Sequence, residues 1–289
     1  MLPDGSPNAD APGPQSPTVV AVLGLGEAGG SLAAGLARAG AIVRGYDPAA
    51  LSAPAHGAGV PGITTARGVT VPEGVTATDS EAAAADGAGL VLSVNSASAA
   101  DGALRAALPS VRPGALWADL NTASPGTKRD LARTAAEHAV PFADVAVMAP
   151  VPGRGLRVPM LASGDGAART ARLLGDLGAS VECVEGGPGT AAERKLLRSV
   201  FFKGLAAAVV EALTAARAAG CEDWLRENIA TELARADAST VERLVEGTHR
   251  HAVRRTAEMA AAAAMLEELG IQPSVAGASR DLLARLAAG

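Results

Sequence analysis

TVVAVLGLGEAGGSLAAGLARAG (18–40) decides how the rest of the chain is read. A short β-branched run breaks into glycines, and these open directly into an Ala- and Leu-rich segment of helical period that closes on Gly40. A second apolar run, AIVRGYD (41–47), follows and ends on Asp47. Strand, helix and strand in this order make a βαβ unit. Gly24, Gly26 and Gly29 have the G-x-G-x-x-G spacing of a dinucleotide-binding turn. The first glycine permits the tight turn, the second lets a pyrophosphate approach the backbone, and the third allows the helix to pack close to the sheet. The helix start adds free N–H groups and partial positive charge. Leu25, Glu27 and Ala28 complete the turn and count with the glycines as cofactor-binding candidates.

Asp47 lies 18 residues after Gly29, where a carboxylate accepts hydrogen bonds from ribose hydroxyls and repels a 2′-phosphate. That favours NAD over NADP. Two other readings stay open: Asp47 as a turn former before Pro48, and Arg44 or Arg67 folding over a phosphate, so NADP is not excluded.

Working outward, further apolar runs occur at GLVLSVN (89–95), ALWADLN (115–121), FADVAVM (142–148) and VPMLASG (158–164), with helix-like segments between them. The expected architecture is a doubly wound, mainly parallel α/β sheet. Val94 and Asn95, at the carboxyl end of the third run, join the cofactor candidates. The Gly- and Pro-heavy stretch 52–80 reads as an elaborated connection between the second and third strands.

Beyond residue 190 nothing alternates like a strand. AERKLLRSVFFKGLAAAVVEALTAARAAG (192–220) reads as one long helix stopped at Gly220, and DWLRENIATELAR (223–235) as another. Residues 238–270 read as helix with a break near Gly247, and 274–289 as a last helix. The division expected is a disordered tail at 1–17, a dinucleotide-binding domain at 18–187, and a helical substrate and dimerisation domain at 188–289. Long apolar faces in the last of these imply a homodimer.

Composition narrows the function classes. A net charge of -5, with no basic run interleaved with aromatics, gives no footprint for nucleic acid. Cys183 and Cys221 form neither a disulfide framework nor a metal pattern, and are expected to be buried small hydrophobes in a reducing compartment. The four histidines (His56, His138, His249, His251) lack matching carboxylates, so no metal is expected. The nearest thing to a membrane span, AAAVVEALTAA, contains Glu211, and the N-terminus has neither the charged nor the apolar region of a signal peptide. The expectation is a soluble cytoplasmic protein.

Of 25 basic residues only three are lysine: Lys128, Lys195 and Lys203. A guanidinium stays charged in proteins, whereas a desolvated ammonium can release its proton near neutrality. Lys195 and Lys203 lie two helical turns apart on the long helix with Ser199 between them, so the three form one polar line. Such a helix is expected to run along a cleft between the domains.

Four motifs occur in a telling order: GLGEAGG (24–30), DLNTASP (119–125), FADVAVMAPV (142–151) and PGTAAERKLLRS (188–199). Together they resemble the β-hydroxyacid dehydrogenase family, which includes 3-hydroxyisobutyrate and 6-phosphogluconate dehydrogenases. DLNTASP looks like the family's D-x-S-T-x-S-P loop. FADVAVMAPV stands in the place of a substrate loop ending in Ser-Gly-Gly, but with Met148 for Ser and Ala149-Pro150 for Gly-Gly. The last motif stands in the place of an interdomain-helix motif whose Lys is catalytic, with Ser199 where the family has Asn. The segments KLLRSVFFKG and HAVRRTAEM look more like an uncharacterised subgroup of the superfamily.

The resemblance implies hydride transfer between a nicotinamide cofactor and a small, anionic 3-hydroxy acid or its keto or semialdehyde form. Lys195 is then the general acid when a carbonyl is reduced and the base in reverse, with Ser199 beside it. Asn121 and Thr122 become candidates for the substrate carboxylate, Met148 part of the substrate loop, and Asp144 a residue that orders that loop. Lys203 binds an anionic substrate group or pairs with an acidic partner. His251, Arg255 and Glu258 share a helical face, either lining the substrate cleft, with Arg254 or Arg255 gripping an anion, or forming a solvated face of Arg–Glu pairs. The competing functions are an imine reductase, which a lysine proton donor disfavours, and a dinucleotide-binding protein without turnover.

Overall fold

A computed structural model describes residues 17–50 and 69–289. Most of the expected tail, together with His56 and Arg67, lies outside the described residues. The chain divides into two compact units that meet between Leu197 and Arg198.

In the first unit the elements run β1 (Val19–Leu23), α1 (Glu27–Arg38), β2 (Ile42–Tyr46), β3 (Val75–Ala77), α2 (Glu81–Ala85), β4 (Leu90–Ser93), α3 (Ala100–Ala107), β5 (Leu116–Asp119), α4 (Pro125–Ala136), β6 (Phe142–Val147), β7 (Met160–Ser163), α5 (Ala167–Asp176) and β8 (Val181–Cys183). They form one eight-stranded sheet of order β3-β2-β1-β4-β5-β6-β7-β8. The first six strands are parallel and include the 3-2-1-4-5-6 order of a Rossmann fold, so the order reverses between β1 and β4. The α/β class and mainly parallel sheet expected from the apolar runs are the observed ones.

Strand alternation assigns the two faces. Val20, Val22, Leu90, Leu92, Leu116 and Val145 point to one side and pack with Leu32 and Leu36 of α1 and Leu174 of α5. Ala21, Leu23, Val91, Trp117 and Phe142 point to the other, against Ala84 of α2, Leu104 of α3 and Leu131 of α4. Helices on both faces leave the central strands buried, which is why they read as continuous apolar runs.

Two details differ from the sequence reading. The stretch 52–80 contains the strand β3, three residues long and too short to show alternation, which is defined by its pairing of Val43 with Val75 and Gly45 with Ala77. Strand β7 runs antiparallel to β6 (Asp144 opposite Ser163), because the connection between them holds only a 3-10 turn, Gly155–Arg157, and no crossover helix.

A helix of 29 residues, α6 (Thr190–Ala218), begins in the first unit and continues into the second. The second unit continues with α7 (Glu222–Ala234), α8 (Thr240–Arg250), α9 (Ala252–Glu268) and α10 (Ser274–Ala287). Gly220, with φ +74°, stops α6 as expected. The break expected near Gly247 instead falls at His251, whose φ of -118° and ψ of 22° leave the helical range. Gly247 stays inside α8, since a helical glycine costs only about 1 kcal/mol.

Ala215, Ala263, Leu266 and Ala276 form the small core of this unit. Glu211 caps α10 by accepting from the amides of Val275 and Ala276, both at 2.8 Å. Large apolar side chains including Phe201, Trp224, Val241 and Val253 remain exposed. Cys183 and Cys221 are also exposed and not buried as expected: one ends the sheet's edge strand, the other sits in the turn between α6 and α7. No helix among the described residues is long and apolar enough to cross a membrane.

Candidate functional site

The β1–α1 turn is shaped by its glycines. Gly24 has φ +98°, and a Cβ there would lie 2.6 Å from the Val94 carbonyl oxygen; a Cβ on Gly29 would lie 1.9 Å from the Gly24 oxygen. Both positions exclude side chains, and together they press the start of α1 against the ends of β1 and β4. Gly26 has open space where its Cβ would be. That leaves room for a phosphate beside amides at the helix start that have no partner within the helix.

Two cavities open on either side of this turn. One, of about 290 Å³, is lined by Gly24, Gly26, Tyr46, Asp47, Glu81, Val94 and Asn95 among others. The other, of about 380 Å³, is lined by Glu27, Ala28, Val94, Asn95, Asn121, Thr122, Ala149, Pro150 and Lys195 among others. Val94 and Asn95 border both, at the carboxyl end of β4, where ligands of such sheets bind. Two linked recesses at the point where strand order reverses suit the two halves of a dinucleotide, adenosine towards Asp47 and nicotinamide towards Lys195.

Asp47 is held firmly. Its carboxylate accepts the Leu25 amide and the Ala49 amide, each at 2.8 Å. Leu25 itself turns its side chain into the core, so its role is to tie the glycine turn to β2. Burial, then the charges of Glu81, Asp47 and Asp79, push the Tyr46 phenol above its ordinary value of 10.0. Arg44, an alternative phosphate ligand, donates instead to the Asp86 carbonyl.

Below the second cavity lies a charged cluster whose central cation the sequence reading left without a role. Lys128, on the inner face of α4 with Leu131 and Ala135, is 1% exposed. Its Nζ donates to Asp119 Oδ1 at 2.5 Å and to the Asp119 carbonyl at 2.8 Å, and makes an ion-pair contact with Asp144 Oδ1 at 3.1 Å. Both carboxylates are fully buried. Asp119 Oδ2 accepts from Asn121 Nδ2 at 2.8 Å, and the same Nδ2 donates to Ser93 Oγ at 2.9 Å. Both amide hydrogens of Asn121 are thereby engaged, and its Oδ1 finds no donor among the described residues.

That oxygen is itself buried, so Asn121 borders the cavity with its amide committed to Asp119 and Ser93. Thr122 is exposed beside it and keeps a hydroxyl donor.

Asp144 Oδ2 accepts from the amides of Gly189 (3.1 Å) and Ala192 (2.9 Å), and Ser163 Oγ accepts from the Ala191 amide at 3.0 Å. The first turn of α6 is thus capped from β6 and β7, and Lys195 follows on its next turn. Asp144 orders this helix start more than its own loop.

Asn121, Thr122 and Lys195 are brought together around one cavity, with Glu27, Ala28, Val94 and Asn95. Met148 is not: it packs with Ala146, Val184 and Ala191 beneath α6, and the cavity wall passes from Val147 to Ala149. Ser199 and Lys203 lie on the part of α6 that belongs to the second unit, and His251 and Arg255 belong to that unit too. There His251 occupies the exposed α8–α9 break, Arg255 donates to Thr248 Oγ1 at 2.6 Å, and exposed Glu258 pairs with exposed Arg254, an Arg–Glu pair of the kind the solvated-face reading names.

Residues 216–286 match a domain of unknown function (DUF1932), in keeping with the resemblance of the C-terminal segments to an uncharacterised subgroup. Among curated proteins none matches. A solved conserved hypothetical protein from Sinorhizobium meliloti 1021 is 32% identical over 92% of this chain and 87% of its own, with a TM-score of 0.56. A conserved protein of unknown function, described as structurally similar to 3-hydroxyacid dehydrogenases, is 28% identical over 93% of this chain and 97% of its own (TM-score 0.55). An imine reductase from Myxococcus stipitatus in complex with NADP+ shares the fold at 18% identity, covering 93% of each chain with a TM-score of 0.71. Residues 19–184, more than half of the chain, match the NAD binding domain of 6-phosphogluconate dehydrogenase, and the protein belongs to that family.

Proposed function

We propose that the protein is a nicotinamide-dependent oxidoreductase that interconverts a small 3-hydroxy acid and its keto or semialdehyde form. The observation that carries this reading is the meeting of Lys195, Asn121 and Thr122 with the dinucleotide turn around one cavity of about 380 Å³. When bound, the cofactor supplies or accepts the hydride. The chain's own part is to hold the substrate and manage a proton.

Lys195 gives a proton to the substrate oxygen during reduction and takes it back during oxidation. Thr122 donates to the substrate carboxylate, Asn121 shapes the wall beside it, and the apolar wall of Val147, Ala149, Pro150 and Val151 excludes water. NAD is the proposed cofactor, because Asp47 and Glu81 line the adenosine end and a 2′-phosphate would meet their charge. The similarity of a 28% identical relative to 3-hydroxyacid dehydrogenases supports the substrate class, and a lysine at the site favours a carbonyl over an imine. Cytoplasmic function as a homodimer through the C-terminal helices completes the proposal.

The test is a spectrophotometric screen of the full chain with NADH and NADPH against short 3-oxo acids, semialdehydes and cyclic imines. Reduction of a 3-oxo acid or semialdehyde that Lys195→Ala slows by about 10²-fold or more is the expected result. Turnover of cyclic imines alone would overturn the substrate class, and cofactor binding without any turnover would overturn the enzymatic reading.

A further inference from the structure

Lys128 is a buried ammonium that the proposed chemistry does not use. In a chain that writes arginine almost everywhere, a lysine on the apolar face of α4 between two buried carboxylates calls for a reason. Two ionised carboxylates and one ammonium leave the cluster with a formal charge of minus one. Without the ammonium, Asp119 and Asp144 would be two like charges in a water-poor interior, with hydrogen bonds but no opposite charge to offset their desolvation.

Each carboxylate has a separate structural task. Asp119 engages the Asn121 amide at 2.8 Å. Asp144 accepts the Gly189 and Ala192 amides and so caps the helix that carries Lys195 one turn later. Ser163 supports the same turn by accepting the Ala191 amide. Lys128 touches both carboxylates, and it is the side chain through which the two tasks are joined.

We propose that Lys128 is a positioning residue: its ammonium bridges Asp119 and Asp144, and through them fixes Asn121 and the first turn of the Lys195 helix on the walls of one cavity. Lys128 does not touch the substrate. It acts through its charge, which permits two buried carboxylates to coexist, one for each wall. This rests on the reading of Lys195 as proton donor; the effect on the helix start does not.

Three full-length variants test it: Lys128→Met, the charge-balanced pair Lys128→Met with Asp119→Asn, and Lys195→Ala. The pair again carries a formal charge of minus one, with Asp144 as the remaining ion and an amide oxygen left to accept from Asn121. The readouts are amide hydrogen exchange over residues 188–197, NADH affinity by fluorescence titration, and kcat with the carbonyl compound the wild type turns over. Lys128→Met should speed exchange of this segment about tenfold or more, as local opening becomes easier. It should lower kcat by about 10- to 100-fold, as a misplaced catalytic group does, and leave NADH affinity within about threefold. The charge-balanced pair should restore both readouts to within about fivefold of wild type.

A packing defect alone would leave the pair no better than the single variant, and that result, or wild-type exchange in Lys128→Met, overturns the proposal. If Lys128→Met does not fold, the pair carries the test: a folded pair as inactive as Lys195→Ala, or as open over 188–197 as an uncapped helix start, overturns it. Should Lys195→Ala retain full turnover, the assignment of Lys195 falls, while the exchange measurement still decides whether Lys128 holds the helix start.

Discussion

The Leu25 amide donates to the Asp47 carboxylate at 2.8 Å, so the group that ends β2 also holds the glycine turn that follows β1. The second oxygen takes the Ala49 amide, which fixes the carboxylate plane. Each oxygen retains a lone pair for a ribose hydroxyl. Calorimetry should find NAD bound more tightly than NADP. Asp47→Ala should weaken NAD by about tenfold or more, the equivalent of losing one charge-assisted hydrogen bond of about 1.5–3 kcal/mol, and should affect NADP less. Tighter NADP binding by the wild type would remove the assignment of NAD.

Lys195 sits on the second turn of a helix whose first turn is held by Asp144, and the cavity it lines also holds Asn121 and Thr122. Replacing it by Ala removes a proton donor and little packing. Turnover should fall by about 10²- to 10⁴-fold, with cofactor affinity and Tm close to wild type. Steady-state kinetics on the identified substrate, beside a thermal melt of the same preparation, check both halves of this expectation.

The sheet was legible because its strands are buried on both faces and bounded by glycines: GLGEAG located β1 and α1, and Asp47 the end of β2. Strand β3 was not, since three residues carry no period and only pairing with β2 defines them. The α8–α9 break was misplaced because a glycine is a weak helix breaker, while nothing in the residue type of His251 marks a break. Lys128 is the instructive omission. The scarcity of lysine that drew attention to Lys195 and Lys203 applies equally to it, and its spacing from Leu131 and Ala135 puts it on the apolar face of an amphipathic helix. Its partners stand on separate strands, Asp119 at the end of β5 and Asp144 within β6, and only the sheet order brings them together.

The second unit leaves Val200, Phe201, Val241, Leu244 and Val253 exposed, with Val200 75% and Val253 73% accessible. Apolar side chains on this scale mark a surface that another copy can cover. Light scattering after size exclusion should give twice the mass of one chain. Replacing Val241 and Val253 together by Asp should shift the protein to monomer while the sheet of the first unit keeps its circular dichroism. A wild type that stays monomeric at concentrations well above the micromolar range would rule out the homodimer.

Glu222 joins the end of α6 to α7: its carboxylate accepts from Arg217 at 2.6 Å and 2.9 Å and from Arg226 at 2.7 Å. Hydrogen bonds from Arg217, then Arg226, push its pKa from the ordinary 4.5 down to about 2. A carboxyl group depressed in the folded state binds its proton more readily when unfolded, so its contribution to stability is present above 4.5 and is lost as pH falls towards 2. Glu222→Gln should therefore melt slightly below wild type at neutral pH. The gap should stay constant down to about 4.5, narrow below it and vanish near 2. Because the arginines are largely exposed, added salt should shrink the gap at every pH. Melting curves of the two proteins across this pH range, at low and high ionic strength, provide the check; a gap that persists unchanged at the acid end would show that the side chain acts by packing and not by its charge.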